Sequence, residues 1–168
     1  MKKIICITGA SSGFGEASAL KFAANGFDLI ITARRKEKLE SLKKRIESAH
    51  DSKVLPLALD VRNRDSVFQA IESLPPEWKK IDILLNNAGL ALGRDTFDEA
   101  SIDDWEAMID TNLKGLLYMS KAVLPQMIAR NQGHIINIGS TAAKQVYQKG
   151  NVYCATKHAV DAISQAMR

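Results

Sequence analysis

The sequence predicts the α/β class, with a doubly wound parallel sheet between two layers of helices. Three observations support this: short apolar runs recur along the chain, helical patterns separate them, and the alternation continues throughout. The 168 residues, of which 46% are hydrophobic, are enough for one ordinary domain and too few for two. We therefore expect residues 1–168 to form a single domain.

Five short runs rich in Ile, Leu and Val are the predicted strands. Their near-continuous apolarity is typical of parallel strands that are covered on both faces. The runs are KIICIT (3–8), DLIITA (28–33), KVLPLAL (53–59), IDILLNN (81–87) and HIINIGS (134–140).

Five helical patterns lie between or after these runs. The longest is predicted to begin at a capping box formed by Ser101 and Asp104 and to end at Gly133. The last reaches residue 168 without a stop signal, so we expect the natural architecture to continue beyond it. The predicted helices cover residues 15–26, 36–49, 64–74, 101–133 and 152–168.

Charge and cysteine content exclude several classes of function. The formal net charge is +4, but Lys and Arg are interspersed with acids, without the basic stripe typical of nucleic-acid binding. Cys6 and Cys154 are too few for a disulfide framework, and His50, His134 and His158 lack partners at metal-ligand spacing. The first apolar run is too short for a signal peptide or membrane span. We therefore expect a cytoplasmic protein that binds neither metal, nucleic acid nor membrane.

The stretch TGASSGFG (8–15) stands between the first predicted strand and the first helix. In a parallel α/β sheet this turn is the usual phosphate site, because the amides and dipole of the helix N-terminus attract a pyrophosphate. Glycines let the backbone approach such a ligand, and a turn that needs positive φ is the alternative explanation. The position in the first unit of the sheet favours the ligand. The predicted contacts are Gly9, Ser11, Ser12, Gly13, Phe14 and Gly15.

Arg34 and Arg35 follow the second predicted strand. A dinucleotide fold that prefers NAD places an acid there, on the ribose 2′-hydroxyl. Two guanidinium groups suit a 2′-phosphate instead, through charge-assisted, forked hydrogen bonds. The alternative is a pair of solvated arginines, but cations are disfavoured beside the positive end of a helix dipole. The sequence therefore favours NADP(H) over NAD(H).

Four polar side chains form the predicted catalytic group. Tyr153 and Lys157 lie four residues apart in the last predicted helix, so they share one face. Ser140 ends the fifth predicted strand and therefore lies at the same sheet edge as the glycine stretch. Asn112 is a polar residue inside the longest helix, where propensity favours other residues.

These motifs, in this order and at these separations, resemble those of the short-chain dehydrogenase/reductase family. The resemblance rests on TGASSGFG, NNAG (86–89), Asn112, Ser140 and YCATK (153–157), and it spans essentially the whole chain. More narrowly, NNAGLALG, MIDTN, GHIINIGSTAA and GNVYCATK are similar to the NADP-dependent 3-hydroxy acid dehydrogenases, which oxidise serine and related short 3-hydroxy acids.

The resemblance implies a Rossmann fold and an oxidoreductase that interconverts an alcohol and its carbonyl with NADP(H). Tyr153 would transfer the proton at oxygen while the nicotinamide carries the hydride. A cation beside a phenol favours the phenolate, which is the implied role of Lys157. Ser140 would hold the reacting oxygen, and Asn112 would position Lys157 through a water.

The resemblance also implies cofactor contacts outside the glycine stretch. Asp60 and Val61 would flank the adenine ring, with packing at a strand end as the alternative. Asn87, Ala88 and Gly89 would lie along the adenosine ribose, and Tyr153 and Lys157 along the nicotinamide ribose. Lys144 and Lys149 lie near a possible position of the substrate carboxylate, although exposed loop lysines are common.

Assembly, chain length and substrate follow only from the same resemblance. Family members continue past the Tyr-Lys helix with further strands and a substrate loop, so we expect residues 1–168 to be part of a longer chain. The helices over 101–130 and 152–168 resemble those that pair subunits, which implies a homodimer or homotetramer. A reductase of another ketone, sugar or acyl substrate fits the same motifs. A non-catalytic dinucleotide-binding protein is the other alternative, although it has no need of all four catalytic side chains.

Overall fold

The computed structural model describes residues 2–168, which form one parallel sheet with helices on both faces. The strands are β1 (Ile4–Thr8), β2 (Asp28–Ala33), β3 (Val54–Ala58), β4 (Ile81–Asn86) and β5 (His134–Asn137). The helices are α1 (Gly13–Ala24), α2 (Lys36–Ala49), α3 (Arg64–Glu72), α4 (Ile102–Ile109), α5 (Gly115–Ala129) and α6 (Asn151–Ala166). No helix within the described range has the length and apolarity needed to cross a membrane. The predicted α/β class is confirmed, and a strand forms in each predicted run.

The sheet order is β3-β2-β1-β4-β5, and every neighbouring pair is parallel. From β1 the chain winds outward through β2 to β3, and it then returns to add β4 and β5 on the other side. The winding therefore reverses between β1 and β4. In open parallel sheets, ligands bind at the carboxyl ends of the strands beside such a reversal.

The central strand β1 is buried along its whole length, and its side chains alternate between two apolar layers. Ile5 and Ile7 pack in the layer that contains α1 and α2, while Ile4 and Cys6 pack in the layer that contains α3 and α5. Full burial of one such aliphatic side chain contributes about 1.5–3 kcal/mol. Burial also raises the pKa of the Cys6 thiol to about 12, so this residue stays un-ionised in the core.

The long helix that the sequence predicts is interrupted near its middle. A π-helical segment, Asp110–Lys114, joins α4 to α5, and each of its turns takes one residue more than an α turn. Asn112 lies in this segment and is buried. The unusual polar residue in the helix therefore coincides with a change in the backbone.

The ends of this helical region differ from the prediction in two respects. Ser101 does precede α4, but its side chain makes no capping hydrogen bond, so the predicted capping box with Asp104 is wrong. The helix also ends earlier than Gly133: α5 stops at Ala129, and Asn131 follows in the left-handed conformation at φ 48°. Asn tolerates this conformation because its short polar side chain can form local hydrogen bonds.

Candidate active site

A cavity of about 780 Å³ opens at the carboxyl ends of the strands, beside the reversal between β1 and β4. The glycine stretch, the residues that follow β2 to β5, and α6 all contribute to its lining. Every predicted cofactor contact except Gly15 lines this cavity, and so does every predicted catalytic residue except Asn112. The topology therefore brings together residues that are far apart in the sequence.

The three glycines of the first turn are required for different reasons. Gly9 and Gly13 have left-handed backbones, at φ 67° and 57°. A Cβ on Gly13 would meet no atom within 4 Å, so this residue leaves open space beside the cavity. A Cβ on Gly15 would overlap the carbonyl oxygen of Gly9 and lie 2.5 Å from Nδ2 of Asn87. Two glycines therefore shape the turn, and the third allows α1 to pack closely against it.

The end of β4 is fastened to the glycine stretch by hydrogen bonds. Asn87 Nδ2 donates to the carbonyl oxygens of Thr8 at 2.8 Å and Gly9 at 3.2 Å. The Thr8 hydroxyl accepts from the backbone N–H groups of Asn87 at 3.0 Å and Ala88 at 2.9 Å. Thr8 was not among the predicted site residues, and its position as the last residue of β1 was the available signal. The amide nitrogen of Asn87 is already used in these hydrogen bonds. The predicted contact of Asn87 with a ribose stays a prediction.

The start of α1 fits a bound diphosphate. Its first amides have no partners inside the helix, and Ser12, which precedes the helix, uses its side chain for no capping hydrogen bond. Phe14 lines the cavity, although 80% of the residue is exposed. A ligand with an anionic centre and flat rings would satisfy the amides and cover this apolar side chain.

Arg34 and Arg35 form a basic wall after β2. Arg35 Nη2 donates to the Ser11 hydroxyl at 3.0 Å. Within residues 2–168, neither arginine forms an ion pair with an acid. Two guanidinium groups without an acidic partner fit a 2′-phosphate on the adenosine ribose.

Asp60 lies on the same cavity wall, and Arg62 engages its carboxylate. Arg62 Nε is 3.0 Å from both carboxylate oxygens, and Nη2 is 2.6 Å from Oδ2. These hydrogen bonds lower the pKa of Asp60 below its ordinary 3.8 against the opposing effect of burial, and the charge of Arg34 lowers it further. Arg62 was not among the predicted site residues, although a basic residue two positions after Asp60 was a usable signal.

Ser140 and Tyr153 point their hydroxyl groups at one another. Tyr153 Oη donates to Ser140 Oγ at 3.5 Å, and the backbone N–H of Ala142 donates to the same Oγ at 3.1 Å. Because Ser140 accepts both of these hydrogen bonds, its own proton is available to a third oxygen. The contact with Ala142 also fixes the side chain, because Ser140 is the N-cap of the short 3₁₀ turn Thr141–Ala143.

Lys157 lies one helical turn from Tyr153 and is buried. Its Nζ donates to the carbonyl oxygen of Ile138 at 2.8 Å and lies 6.0 Å from the centroid of the Tyr153 ring. Burial lowers the pKa of Lys157 below its ordinary 10.5. An ammonium has three N–H donors, so two remain for other partners. The predicted cation therefore lies near the ring of the predicted phenol.

Asn112 lies behind the cavity wall. Its Oδ1 accepts from the backbone N–H of Leu90 at 2.8 Å, and its Nδ2 donates to the Leu90 carbonyl at 2.8 Å and to Thr156 Oγ1 at 3.2 Å. Thr156 in turn donates to the carbonyl of Tyr153 at 2.8 Å. Asn112 therefore ties the segment after β4 to the catalytic turn of α6, and its water link to Lys157 stays a prediction. Thr156, which lies within YCATK, was not among the predicted site residues.

Two lysines between Ser140 and Tyr153 lie outside the cavity lining. Lys144 Nζ forms an ion pair with Asp161 at 2.7 Å, and this pairing lowers the pKa of Asp161. Lys149 is exposed and has a left-handed backbone at φ 65°.

Within residues 2–168, no group of three or more His, Cys, Asp or Glu is arranged to hold a metal ion.

Three features together define the class of short-chain dehydrogenases. They are a doubly wound sheet, a glycine turn at its reversal, and Ser, Tyr and Lys side chains at the same cavity. The profile of the short chain dehydrogenase family matches residues 3–168, so the chain belongs to this family. The predicted family resemblance is confirmed.

The chain is similar over most of its length to curated NADP-dependent 3-hydroxy acid dehydrogenases. It is 52% identical over 165 residues to YdfG of Salmonella typhi, which bears that name, and the match covers 98% of this chain and 65% of that protein. It is 46% identical over 167 residues to the NADP-dependent 3-hydroxy acid dehydrogenase of Schizosaccharomyces pombe, covering 99% and 64%. The chain thus spans just under two thirds of the length of these relatives.

Solved structures support the fold and the narrower resemblance. Serine dehydrogenase from Escherichia coli superposes with a TM-score of 0.91 at 51% identity, covering 98% of this chain and 74% of that one. The closed form of serine dehydrogenase complexed with NADP+ superposes with a TM-score of 0.92 at 51% identity, covering 98% and 65%.

Proposed function

We propose that this chain forms the cofactor-binding and proton-transfer parts of an NADP(H)-dependent oxidoreductase that interconverts an alcohol and its carbonyl. The observation that carries the proposal is the placement of Ser140, Tyr153 and Lys157 at the same cavity as the glycine turn and the basic wall. The similar proteins named as NADP-dependent dehydrogenases support it. A cavity that served only to bind a nucleotide would have no need of this group.

NADP(H) is the proposed cofactor, and when bound its nicotinamide supplies the hydride chemistry. The amides at the start of α1 would bind the diphosphate, and the open space at Gly13 would leave room for it. Arg34 and Arg35 would bind the 2′-phosphate, because they lack acidic partners among the described residues. Asp60 and Val61 would flank the adenine.

Ser140 and Tyr153 would act on the oxygen of the substrate. Their hydroxyl oxygens are 3.5 Å apart, so one further oxygen can lie within about 2.8 Å of both. Ser140 would donate its free proton to that oxygen and hold it in place. Tyr153 would take the proton of the alcohol during oxidation and return it during reduction.

Lys157 would support both binding and proton transfer. Its Nζ lies 6.0 Å from the centroid of the Tyr153 ring, so its positive charge is close to the proposed proton-transfer group. Its two remaining N–H groups would bind the ribose hydroxyls next to the nicotinamide. Burial among protein atoms reduces the screening of this charge by water.

Short 3-hydroxy acids such as serine are the proposed substrates. Support comes from the two curated relatives named as 3-hydroxy acid dehydrogenases and from the solved structures named as serine dehydrogenase. A few side chains of such a pocket can change substrate preference.

Assembly and location are also proposed. Ile102 and Leu117 are 66% and 39% exposed on α4 and α5, and Ile128 near the end of α5 is 68% exposed. Such apolar surface supports a homodimer or homotetramer through the helices over 101–130 and 152–168. The free, buried thiols of Cys6 and Cys154 accord with a cytoplasmic location.

The test follows NADPH formation with L-serine and 3-hydroxypropionate in wild type and Tyr153→Phe. We expect the variant to lose activity by roughly 10²- to 10⁴-fold, the usual contribution of acid–base catalysis, while it still binds NADPH. The matched control is Tyr118→Phe, which removes a hydroxyl from α5 at a position outside the cavity lining.

Other outcomes distinguish the alternatives. Full activity in Tyr153→Phe would refute the proposed role of this side chain. Reduction of other ketones, sugars or acyl groups with no turnover of 3-hydroxy acids would identify a different reductase. NADPH binding without turnover of any alcohol or carbonyl would identify a non-catalytic binding protein.

A further inference from the structure

The cavity wall that follows β2 and β3 contains an acid among three arginines. Arg34, Arg35, Asp60 and Arg62 all line it. Only Arg62 makes hydrogen bonds to the Asp60 carboxylate among the described residues. The wall therefore presents three positive charges and one negative charge, and the negative charge is already engaged.

The geometry of the Arg62–Asp60 pair is fixed by the backbone. The N–H of Arg62 donates to Asp60 Oδ1 at 3.0 Å, in addition to the guanidinium contacts with both oxygens. The turn closes when the N–H of Asn63 donates to the Asp60 carbonyl at 3.1 Å. Asn63 is the N-cap of α3, and its Oδ1 accepts from the N–H of Ser66 at 3.0 Å. The pair is thus organised before any ligand binds.

An unpaired carboxylate on this wall would oppose a 2′-phosphate. It would repel the phosphate directly, and it would compete with the phosphate for Arg34. The charge of Arg34 already reaches Asp60, since it contributes to the lowered pKa of this carboxyl. Arg34 nevertheless makes no ion pair among the described residues, whereas Arg62 does. Arg62 therefore neutralises the one feature of the wall that disfavours a 2′-phosphate.

We propose that Arg62 is a positioning residue that determines the preference of this site for a 2′-phosphorylated adenosine. By occupying the Asp60 carboxylate, Arg62 leaves Arg34 available to the phosphate. The inference rests on the proposed NADP(H) site, and it assigns part of the cofactor preference to a residue that need not contact the phosphate.

The test measures binding by calorimetry, with 2′,5′-ADP and 5′-AMP as probes that differ in the 2′-phosphate. The ratio of their affinities is the readout, because contacts to adenine and ribose cancel in it. We expect wild type to prefer 2′,5′-ADP and Arg62→Gln to lower the ratio about tenfold, which is about 1.4 kcal/mol. The affinity for 5′-AMP should change by less than about threefold in this variant.

Two further variants isolate the role of the Asp60 charge. Adding Asp60→Asn to Arg62→Gln should restore most of the ratio, because the carboxylate that Arg62 neutralised is gone. Asp60→Asn alone should not lower the ratio, and this measurement does not depend on the folding of the Arg62 variant. Arg64→Gln is the matched control: it removes the same charge from an arginine that pairs with exposed Asp65 at 2.9 Å and lies outside the cavity lining.

The outcomes separate this inference from the proposed function. If wild type prefers 2′,5′-ADP and the affinity ratio is unchanged in Arg62→Gln, the inference is overturned, even if the affinities for both nucleotides fall equally. The proposed NADP(H) preference is then retained. A double variant that recovers nothing, or a lowered ratio in Asp60→Asn alone, also overturns it. If wild type binds both nucleotides equally, the proposed NADP(H) preference fails and the inference fails with it.

Discussion

Replacing Gly15 by Ala tests whether close packing at the glycine turn governs the stability of α1. Gly15 lies in the first turn of this helix and is buried. Helix propensity alone predicts that Ala would stabilise the helix by about 1 kcal/mol. The structure predicts the opposite, so the sign of the effect decides between the two arguments.

The expected cost follows from the atoms that a Cβ would meet. It would overlap the Gly9 carbonyl oxygen, and it would lie 2.5 Å from Asn87 Nδ2 and 2.9 Å from the Gly9 carbonyl carbon. None of these atoms can move freely, because Asn87 Nδ2 is hydrogen-bonded to the Thr8 and Gly9 carbonyls. Overpacking of this kind costs about 1–3 kcal/mol, and rigid neighbours favour the upper part of that range. For a chain of this size, we expect Tm to fall by roughly 4–12 °C.

Thermal and urea unfolding of Gly15→Ala check this value, with Gly139→Ala as the matched control. A Cβ on Gly139 would meet no atom within 4 Å, so its unfolding free energy should stay within about 0.5 kcal/mol of wild type. NADPH binding to Gly15→Ala should also weaken, because any shift of Gly9 displaces the turn that lines the cavity. A Gly15→Ala protein that unfolds at or above the wild-type temperature would refute the reasoning.

Two predictions concern α6. Because burial lowers the pKa of Lys157, the unfolded chain binds more protons between that pKa and the ordinary 10.5, so wild-type stability rises with pH across this window. Lys157→Met should therefore be more stable than wild type at pH 7 and lose this advantage as the pH approaches 10.5; a pH-independent difference in urea unfolding would contradict this. Thr156→Val leaves a donor of buried Asn112 without its acceptor and should lower the unfolding free energy by about 1–3 kcal/mol, whereas Thr156→Ser keeps the hydroxyl and most of the stability. A Thr156→Val protein as stable as wild type, with a loss only in Thr156→Ser, would show that the methyl group, and not the hydrogen bond, matters.

The parts of the structure that follow from local patterns could be predicted from the sequence. Buried parallel strands need apolar residues on both faces, so the run that became β1 was visible without any tertiary information. The rule that the carboxyl ends of parallel strands meet at one sheet edge was enough to predict that Ser140 and Arg34 line the same cavity. Spacing along a helix did the same for Tyr153 and Lys157.

The remaining parts depend on contacts between distant segments. The brace between Thr8 and Asn87 joins residues that are 79 positions apart, and no local pattern marks such a pair. The capping box at Ser101 matched a sequence pattern, but its side chain makes no capping hydrogen bond. Likewise, the contacts of Asn112 with Leu90 and Thr156 depend on how three segments pack, so its polarity could be noted without its partners.

The π-helical segment between α4 and α5 keeps the chain helical but changes how the faces of the two helices are aligned. One additional residue per turn rotates everything that follows by about 100° relative to an uninterrupted α-helix. A helical wheel drawn continuously from Ile102 to Ala129 would therefore assign wrong faces to the second half. Loss of a single residue within 110–114 would restore a regular α-helix and keep the apolar stripe of α5 against the sheet, whereas α-helical winding of all five residues would turn that stripe away by about 100°.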